Sequence, residues 1–181
     1  MVPPVTRFVS HCYEWLEALA SSLIVVVLLF TMLFRIVNVS GPSMLPTLHG
    51  DDHVLLSSSF YRPHPGDVVV ITHTAKLKEP IIKRVIAVEN QQVDINFETG
   101  TVYIDGQALD ESAYIENGVT TQSSDYTYPL TVPPGRLFVL GYNRAVSNDS
   151  RSSEVGMIDE RYVLGKAEFV VFPFSRFGKI V

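Results

Sequence analysis

Ser43 and Lys83 are the two residues whose types and surroundings could do chemistry together. A serine hydroxyl is a weak nucleophile and needs a base to take its proton. Histidine is the usual base, and His49, His53, His64 and His73 are candidates, but none has an Asp or Glu set in an obvious orienting motif. Lysine can serve where burial lowers its pKa from ~10.4 toward neutrality. Lys83 follows Pro80-Ile81-Ile82 and precedes Arg84-Val85-Ile86-Ala87-Val88. Alternate side chains of a strand share a face, so Lys83 shares one with Ile81, Val85 and Ala87, where an ammonium would be desolvated. Arg84 is expected to point the other way, toward solvent or a carboxylate. Lys76 and Lys78 lie in a polar stretch and are expected to be solvated. A serine nucleophile with a lysine base is the equipment of peptide-bond hydrolysis.

Each residue also has an ordinary reading. A serine between Gly41-Pro42 and Met44 is by itself a turn residue, and a lysine in a strand by itself snorkels or marks an edge. Asn143-Arg144 and Asn148-Asp149-Ser150-Arg151 would by themselves be surface turns. The elements that must position the pair therefore decide how much weight it carries.

Residues 18–34 carry no charge, and their centre, Leu23-Ile24-Val25-Val26-Val27-Leu28-Leu29-Phe30, is uniformly apolar. As a helix this run spans roughly 26 Å, near the lower limit for a bilayer core, and Leu16 and Ile36-Val37 can extend it. Tyr13 and Trp15 stand where interfacial aromatics belong, and Arg35 caps the far end. A cleavable signal peptide would have a shorter apolar core of about 7–15 residues and a small-x-small site after it. Here Ser40-Gly41 runs into Pro42, so an uncleaved anchor is expected. Arg7 before the run and Arg35 after it leave the orientation open.

Beyond the anchor the chain reads as short strands. Val54-Leu55-Leu56 and Val68-Val69-Val70-Ile71 are apolar runs bounded by turn chemistry, Gly50-Asp51-Asp52 before one and Pro65-Gly66-Asp67 before the other. Residues 81–88, 92–96, 101–104, 136–142 and 162–172 are further strands, with Asp105-Gly106 as a hairpin signal. Residues 110–128 are polar and read as a loop excursion. A helical turn is expected near residues 57–61 and another near 157–162. The expected organisation is a tail (1–17), a transmembrane anchor (18–36), and a β-rich catalytic domain (37–181) with an excursion at about 106–132. The fold class is mainly β: one N-terminal transmembrane helix followed by a folded-sheet or barrel-like domain.

Composition narrows the function. The 181 residues suit one anchor and one compact domain. A formal net charge of −5 argues against nucleic acid as a partner. Cys12 alone allows no intramolecular disulfide, and the scattered histidines have no Cys or close His partner, so neither a metal site nor a cofactor is expected.

Four motifs stand in order. They are Ser43-Met44-x-Pro46-Thr47 after the anchor, Gly66-Asp67-Val68-Val69, Lys83-Arg84-Val85-Ile86-Ala87, and Gly141-x-Asn143-Arg144-x-x-Ser147-x-Asp149-Ser150-Arg151. Together they resemble type I signal peptidase, in the short single-anchor form of Gram-positive bacteria, from the anchor to about Gly165. The resemblance implies Ser43 as nucleophile and Lys83 as general base. It implies an oxyanion held by the Ser43 backbone N–H with a group near Gly41, since Pro42 has no N–H. Ser147 would hydrogen-bond Lys83, and Asp149 and Arg151 would form a supporting ion pair that could include Arg84. Val37, Val39, Met44, Leu48, Val54 and Ile82 match positions that line small apolar substrate pockets. Such pockets would select secretory preproteins with small residues at −1 and −3 of the cut. The resemblance further implies a single-pass protein of the bacterial cell membrane, N-terminus cytoplasmic and catalytic domain extracytoplasmic, with the lipid bilayer as partner. Two departures stand out: the family usually has Gly-Asp-Asn-Arg where this chain has Gly141-Tyr142-Asn143-Arg144, and Glu89-Asn90-Gln91 where a glycine turn is common.

Two other readings compete. A mitochondrial inner-membrane processing peptidase shares the anchor and both core motifs, but residues 1–17 show no Arg-rich, acid-poor transit peptide. An anchored escort domain that binds preproteins without cutting them is opposed by the presence of both Ser43 and Lys83. At the C-terminus, Phe169 and Val171 are expected in the core, while Phe174 and Phe177 are candidates for membrane contact.

Overall fold

The computed structural model describes residues 4–58 and 61–180. A single long helix, α1 (Pro4–Leu33), leads directly into β1 (Phe34–Asn38). The strands that follow are β2 (His53–Ser57), β3 (Val68–Ile71), β4 (Ile81–Ala87), β5 (Gln92–Asn96), β6 (Thr101–Ile104) and β7 (Gln107–Ala108). Next come β8 (Leu130–Thr131), β9 (Arg136–Leu140), β10 (Ile158–Asp159), β11 (Val163–Phe172) and β12 (Gly178–Lys179), with short 3₁₀ turns at Glu160–Tyr162 and Phe174–Arg176. The fold is mainly β. An eight-stranded antiparallel sheet runs β1-β2-β11-β3-β4-β9-β10 with β12 on β11, and a four-stranded sheet runs β7-β6-β5-β8.

The apolar stretch Tyr13–Leu33 has a mean hydropathy of 2.4 and none of it is buried against the rest of the chain. This fits a membrane anchor. Its boundaries differ from the sequence reading. Helix begins at Pro4, within the expected tail, and ends at Leu33, so Phe34, Arg35, Ile36 and Val37 belong to β1. The β-branched Ile36-Val37 pair against Leu55 and Val54 of β2. Cross-strand pairing, not lipid, claims these residues, and Arg35 does not cap the helix.

The large sheet is buried on both faces at its centre. All four residues of β3 are buried, as are Lys83 to Ala87 of β4. One apolar cluster, including Met44, Leu48, Val54, Leu56 and Val68, lies beneath the segment that carries Ser43. A second, including Val69, Val85, Val139 and Ile158, covers the other face. A third, built from Val93, Ile95, Val102, Val132 and Phe138, joins the small sheet to β9.

Turn chemistry falls where it was read. Asp105 and Gly106 both have positive φ (51° and 79°), as a tight hairpin between β6 and β7 requires. Residues 110–128 contain neither helix nor strand, while β7 and β8 bracket them. The turn expected near residues 57–61 falls partly outside the described residues, and the one expected near 157–162 is the Glu160–Tyr162 turn. In β11 the expected phase is wrong. Irregularities between Ala167 and Phe169 and between Val170 and Phe172 shift the register. Ala167 and Val170 are therefore buried, while Phe169 is 38% exposed and Val171 is intermediate.

Candidate active site

Ser43 lies in a loop between β1 and β2, and Lys83 in the middle of β4. The loop is pinned at its ends: the Val39 N–H donates to the Asp52 carbonyl at 2.8 Å and the Asp51 N–H to the Val39 carbonyl at 3.0 Å. Inside it, the Leu45 N–H donates to the Pro42 carbonyl at 3.2 Å and the Leu48 N–H to the Met44 carbonyl at 2.9 Å. Met44 and Leu48 are buried below, which fixes the half-buried Ser43 at the surface of the loop. Gly41 has φ +80°, a conformation that lets the chain turn into Pro42-Ser43.

Lys83 pairs with Val69 across β3 and is only 3% exposed. Val69 and Val85 beside it belong to one apolar cluster, against which Ile81 also packs. Ala87 belongs to another, because a bulge falls between Val85 and Ala87. The ammonium donates to Ser43 Oγ at 2.8 Å and to the Ile82 carbonyl at 3.0 Å. Burial pulls the Lys83 pKa down to about 8, and the negative charge of Asp149 opposes that shift. Near neutrality this lysine can therefore lose its proton, and its Nζ is then within direct reach of a serine hydroxyl.

The 141–151 segment buttresses the pair. The Asn143 N–H donates to the Ser43 carbonyl at 3.0 Å. A Cβ at Gly141 would sit 2.1 Å from Ser147 Oγ and 2.7 Å from the Ser43 carbonyl oxygen, so only glycine lets this turn approach the nucleophile. Asp149 and Arg151 form a two-pronged pair, Nε to Oδ1 at 2.8 Å and Nη2 to Oδ2 at 2.9 Å. The Oδ2 and Nη2 atoms of that pair also hold the turn. Asp149 accepts from the Gly141 N–H at 3.1 Å, and Arg151 donates to the Arg144 carbonyl at 2.8 Å. Ser147 departs from expectation: its Oγ is buried without a hydrogen-bond partner, and no bond joins it to Lys83. The backbone of its turn is tied to Asn143, the Ser147 N–H donating to the Asn143 carbonyl at 2.9 Å, and this sets the side chain against Gly141 instead.

Arg84 departs as well. It is buried, and it neither faces solvent nor pairs with Asp149. Its Nε donates to the Tyr142 hydroxyl at 2.9 Å, its Nη1 to the Gly66 carbonyl, and its guanidinium lies 4.0 Å from the centroid of the Tyr114 ring. Tyr114 and Tyr142 stack at 4.9 Å. The Arg84 face of β4 is covered, so alternation there separates two interiors. Tyr142, the departure noted in the sequence, thus supplies an acceptor to a buried cation.

A cleft of about 690 Å³ opens beside Ser43 and Lys83. Val37, Val39, Met44 and Ile82 line it as read from the sequence, together with Val70, Leu77, Leu164 and the segment 76–80. Leu48 and Val54 do not: both are wholly buried in the cluster under the loop, where they support Met44. The wall formed by residues 76–80 escaped sequence reading because it is polar and held by backbone contacts, the Lys76 N–H donating to the Glu154 carbonyl at 2.9 Å. Also missed was the buried Arg144–Glu111 pair (Nη1 to Oε2 3.0 Å), which ties the 110–128 excursion to the turn beside Ser43.

Residues 12–172 match the family model described as signal peptidase, peptidase S26. The chain is 32% identical to a signal peptidase I of Bacillus licheniformis over 181 aligned positions, covering 94% of each protein. It is 30% identical to signal peptidase I P of Bacillus subtilis subsp. natto, covering 92% of each, and 30% identical to signal peptidase IB of Staphylococcus aureus, covering 91% of each. A crystal structure of a signal peptidase I from Enterococcus faecalis V583, 31% identical, aligns with 60% of this chain and 98% of its own at a TM-score of 0.49.

Proposed function

Because the chain belongs to the signal peptidase, peptidase S26 family, we propose that it is a membrane-bound serine endopeptidase that removes N-terminal signal peptides from exported preproteins through Ser43 and Lys83. One observation carries this reading: a desolvated lysine whose Nζ lies 2.8 Å from a serine Oγ at the floor of an open cleft.

In the proposed mechanism, neutral Lys83 takes the Ser43 proton as Oγ attacks the scissile carbonyl carbon. The tetrahedral oxyanion is held by the Ser43 N–H with a second donor near Gly41. Its collapse breaks the C–N bond, and Lys83 returns the proton to the departing amine of the mature protein. The signal peptide is left as an ester on Ser43. Lys83 then takes a proton from a water that attacks the ester carbon, and as the second tetrahedral intermediate collapses and the C–Oγ bond breaks, Lys83 returns that proton to Ser43 Oγ. Asp149 and Arg151 act at a distance by holding the turn against the Ser43 carbonyl. Val37, Val39, Met44 and Ile82 give an apolar cleft that favours small side chains at −1 and −3 of the cut.

The helix is the proposed single-pass anchor in a bacterial cell membrane, with the N-terminus cytoplasmic and the catalytic domain, which begins with β1 at Phe34, outside. Ser43 lies so close to the end of α1 that the cleft stays near the bilayer, where a cleavage site emerges, and confinement to that layer raises the effective concentration of enzyme and substrate. Phe174 and Phe177, 81% and 64% exposed, offer a second lipid contact. Replacing both with Ser is expected to weaken binding to liposomes, and unchanged binding would remove that contact from the reading.

The deciding experiment is cleavage of a preprotein carrying an Ala-x-Ala site by detergent-solubilised wild type, Ser43→Ala and Lys83→Ala, with the cut located by mass spectrometry. Cutting after the last Ala by wild type alone supports the proposal. Equal and negligible cleavage by three folded samples would favour the escort reading, and cutting by Lys83→Ala would mean another base.

A further inference from the structure

We propose that Arg176, in the turn after β11, is a positioning residue for Ser43; this rests on the reading of Ser43 as the nucleophile. The loop carrying Ser43 has two limbs. One limb contains Met44 and Thr47, and the returning limb contains His49 and Asp52. The Asp52 carboxylate is 1% exposed and accepts the His49 N–H at 2.9 Å. A carboxylate so buried needs a cation. Arg176 supplies it: Nε donates to Oδ1 at 3.0 Å and Nη2 to Oδ2 at 3.1 Å. The same Nη2 donates to the Thr47 carbonyl at 2.9 Å. One guanidinium thus ties both limbs together.

The tie does not come from the loop itself. Arg176 belongs to the Phe174–Arg176 turn, closed by its own N–H donating to the Pro173 carbonyl at 2.9 Å and followed by β12 on β11. Phe174 and Phe177 point outward on either side, and Arg176 is the side chain that reaches inward from between them. Among the described residues this is the one ion pair of Asp52. Loss of the guanidinium strands a buried carboxylate, and the relief open to it is hydration, which parts the two limbs. Leu48, whose N–H holds the Met44 carbonyl, then loosens, and Ser43 beside Met44 leaves its line to Lys83. A displacement of about 1 Å at a reacting atom is enough for roughly a hundredfold in rate.

The test uses the full-length protein in detergent with an Ala-x-Ala peptide. Arg176→Met is expected to lower kcat by about tenfold to a hundredfold, with KM within about threefold and the acid limb of the pH profile unmoved. Adding Asp52→Asn removes the stranded charge and restores most of the lost kcat. An unchanged kcat in folded Arg176→Met, or a double variant as slow as the single, overturns the proposal. So does a displaced acid limb, because Arg176 would then act on Lys83. Arg176→Lys keeps the charge and loses the fork, and it guards against a Met variant that does not fold. In it the amides of Leu48 and His49 exchange about tenfold faster than in wild type, and unchanged exchange overturns the proposal. If Ser43→Ala cleaves like wild type, the nucleophile reading falls and this proposal with it. If Ser43→Ala is dead while Arg176→Met is fully active, only this proposal falls.

Discussion

Around the four-stranded sheet the interior is Val93, Ile95, Val102, Val132 and Phe138, while around the centre of the large sheet Lys83, Arg84, Arg144, Asp149 and Arg151 are buried just as deeply. The first region follows the rule that apolar side chains go inside and gains from each one. The second holds charged groups that must each be matched, and each match fixes a geometry. Arg151 is paired with Asp149, Arg144 with Glu111, and Arg84 is cradled by two tyrosines. Lys83 is matched differently: its hydrogen bonds go to a serine hydroxyl and a carbonyl, and among the described residues no carboxylate forms a salt bridge with it. The arginines hold the scaffold, and Lys83, which donates to a hydroxyl and a carbonyl, is the cation whose proton can leave.

The contrast can be broken most severely at the pair itself. Lys83→Ala and Ser43→Ala are each expected to reduce single-turnover cleavage by about a thousandfold or more, with the folded domain retained by circular dichroism. Next in size is Glu111→Gln, which leaves the Arg144 cation buried and unmatched. A loss of about 3–5 kcal/mol is expected in chemical denaturation, although Glu111 lies far along the chain from Ser43 and Lys83.

Lys83→Met sharpens the comparison from the other side. Lys83 titrates near 8 in the folded protein against an ordinary 10.5. Between these values the unfolded chain holds the extra proton, so stability rises with pH across that window, and below it the buried ammonium is a standing burden. Lys83→Met is therefore expected to be dead yet more stable than wild type by up to about 3 kcal/mol below pH 8, the gain fading toward pH 10.5. A variant less stable than wild type at pH 6 would contradict it. The same titration gives activity that climbs about tenfold per pH unit up to about 8 and then levels. A flat rate down to pH 5 would remove Lys83 as base. Smallest is Ile95→Val in the small sheet, expected to cost about 1 kcal/mol and to leave kcat and the pH profile untouched.

The sequence announced these regions unequally. Short apolar runs between glycine, proline and aspartate turns gave the strands, and the apolar stretch gave the helix, because both signals are local. Lys83 was legible because its strand neighbours are apolar. Arg84 was not, because alternation says which side chains share a face but not whether the opposite face is wet; here both are covered. Leu48 and Val54 were placed in the cleft because they are apolar and close in sequence to Ser43, yet they lie one layer below it. Arg176 and Asp52 form a contact across most of the domain, and no local pattern joins them. The excursion looked idle because the side chains that reach inward, among them Glu111, Tyr114, Ile115, Thr120 and Tyr128, are scattered without period through a polar segment.

Leu33 ends the helix and Phe34 begins the first strand, with no residue between them, and the Ser58 N–H donates back to the Leu33 carbonyl at 3.3 Å. On the proposed reading this makes the anchor a ruler as well as a tether. The blade is mounted at a set height above the bilayer and has no hinge with which to stoop or reach. Two preproteins with the same residues around the cut would then be sorted by how far that cut stands off the membrane, and lengthening the Leu33–Phe34 junction would reset the mark.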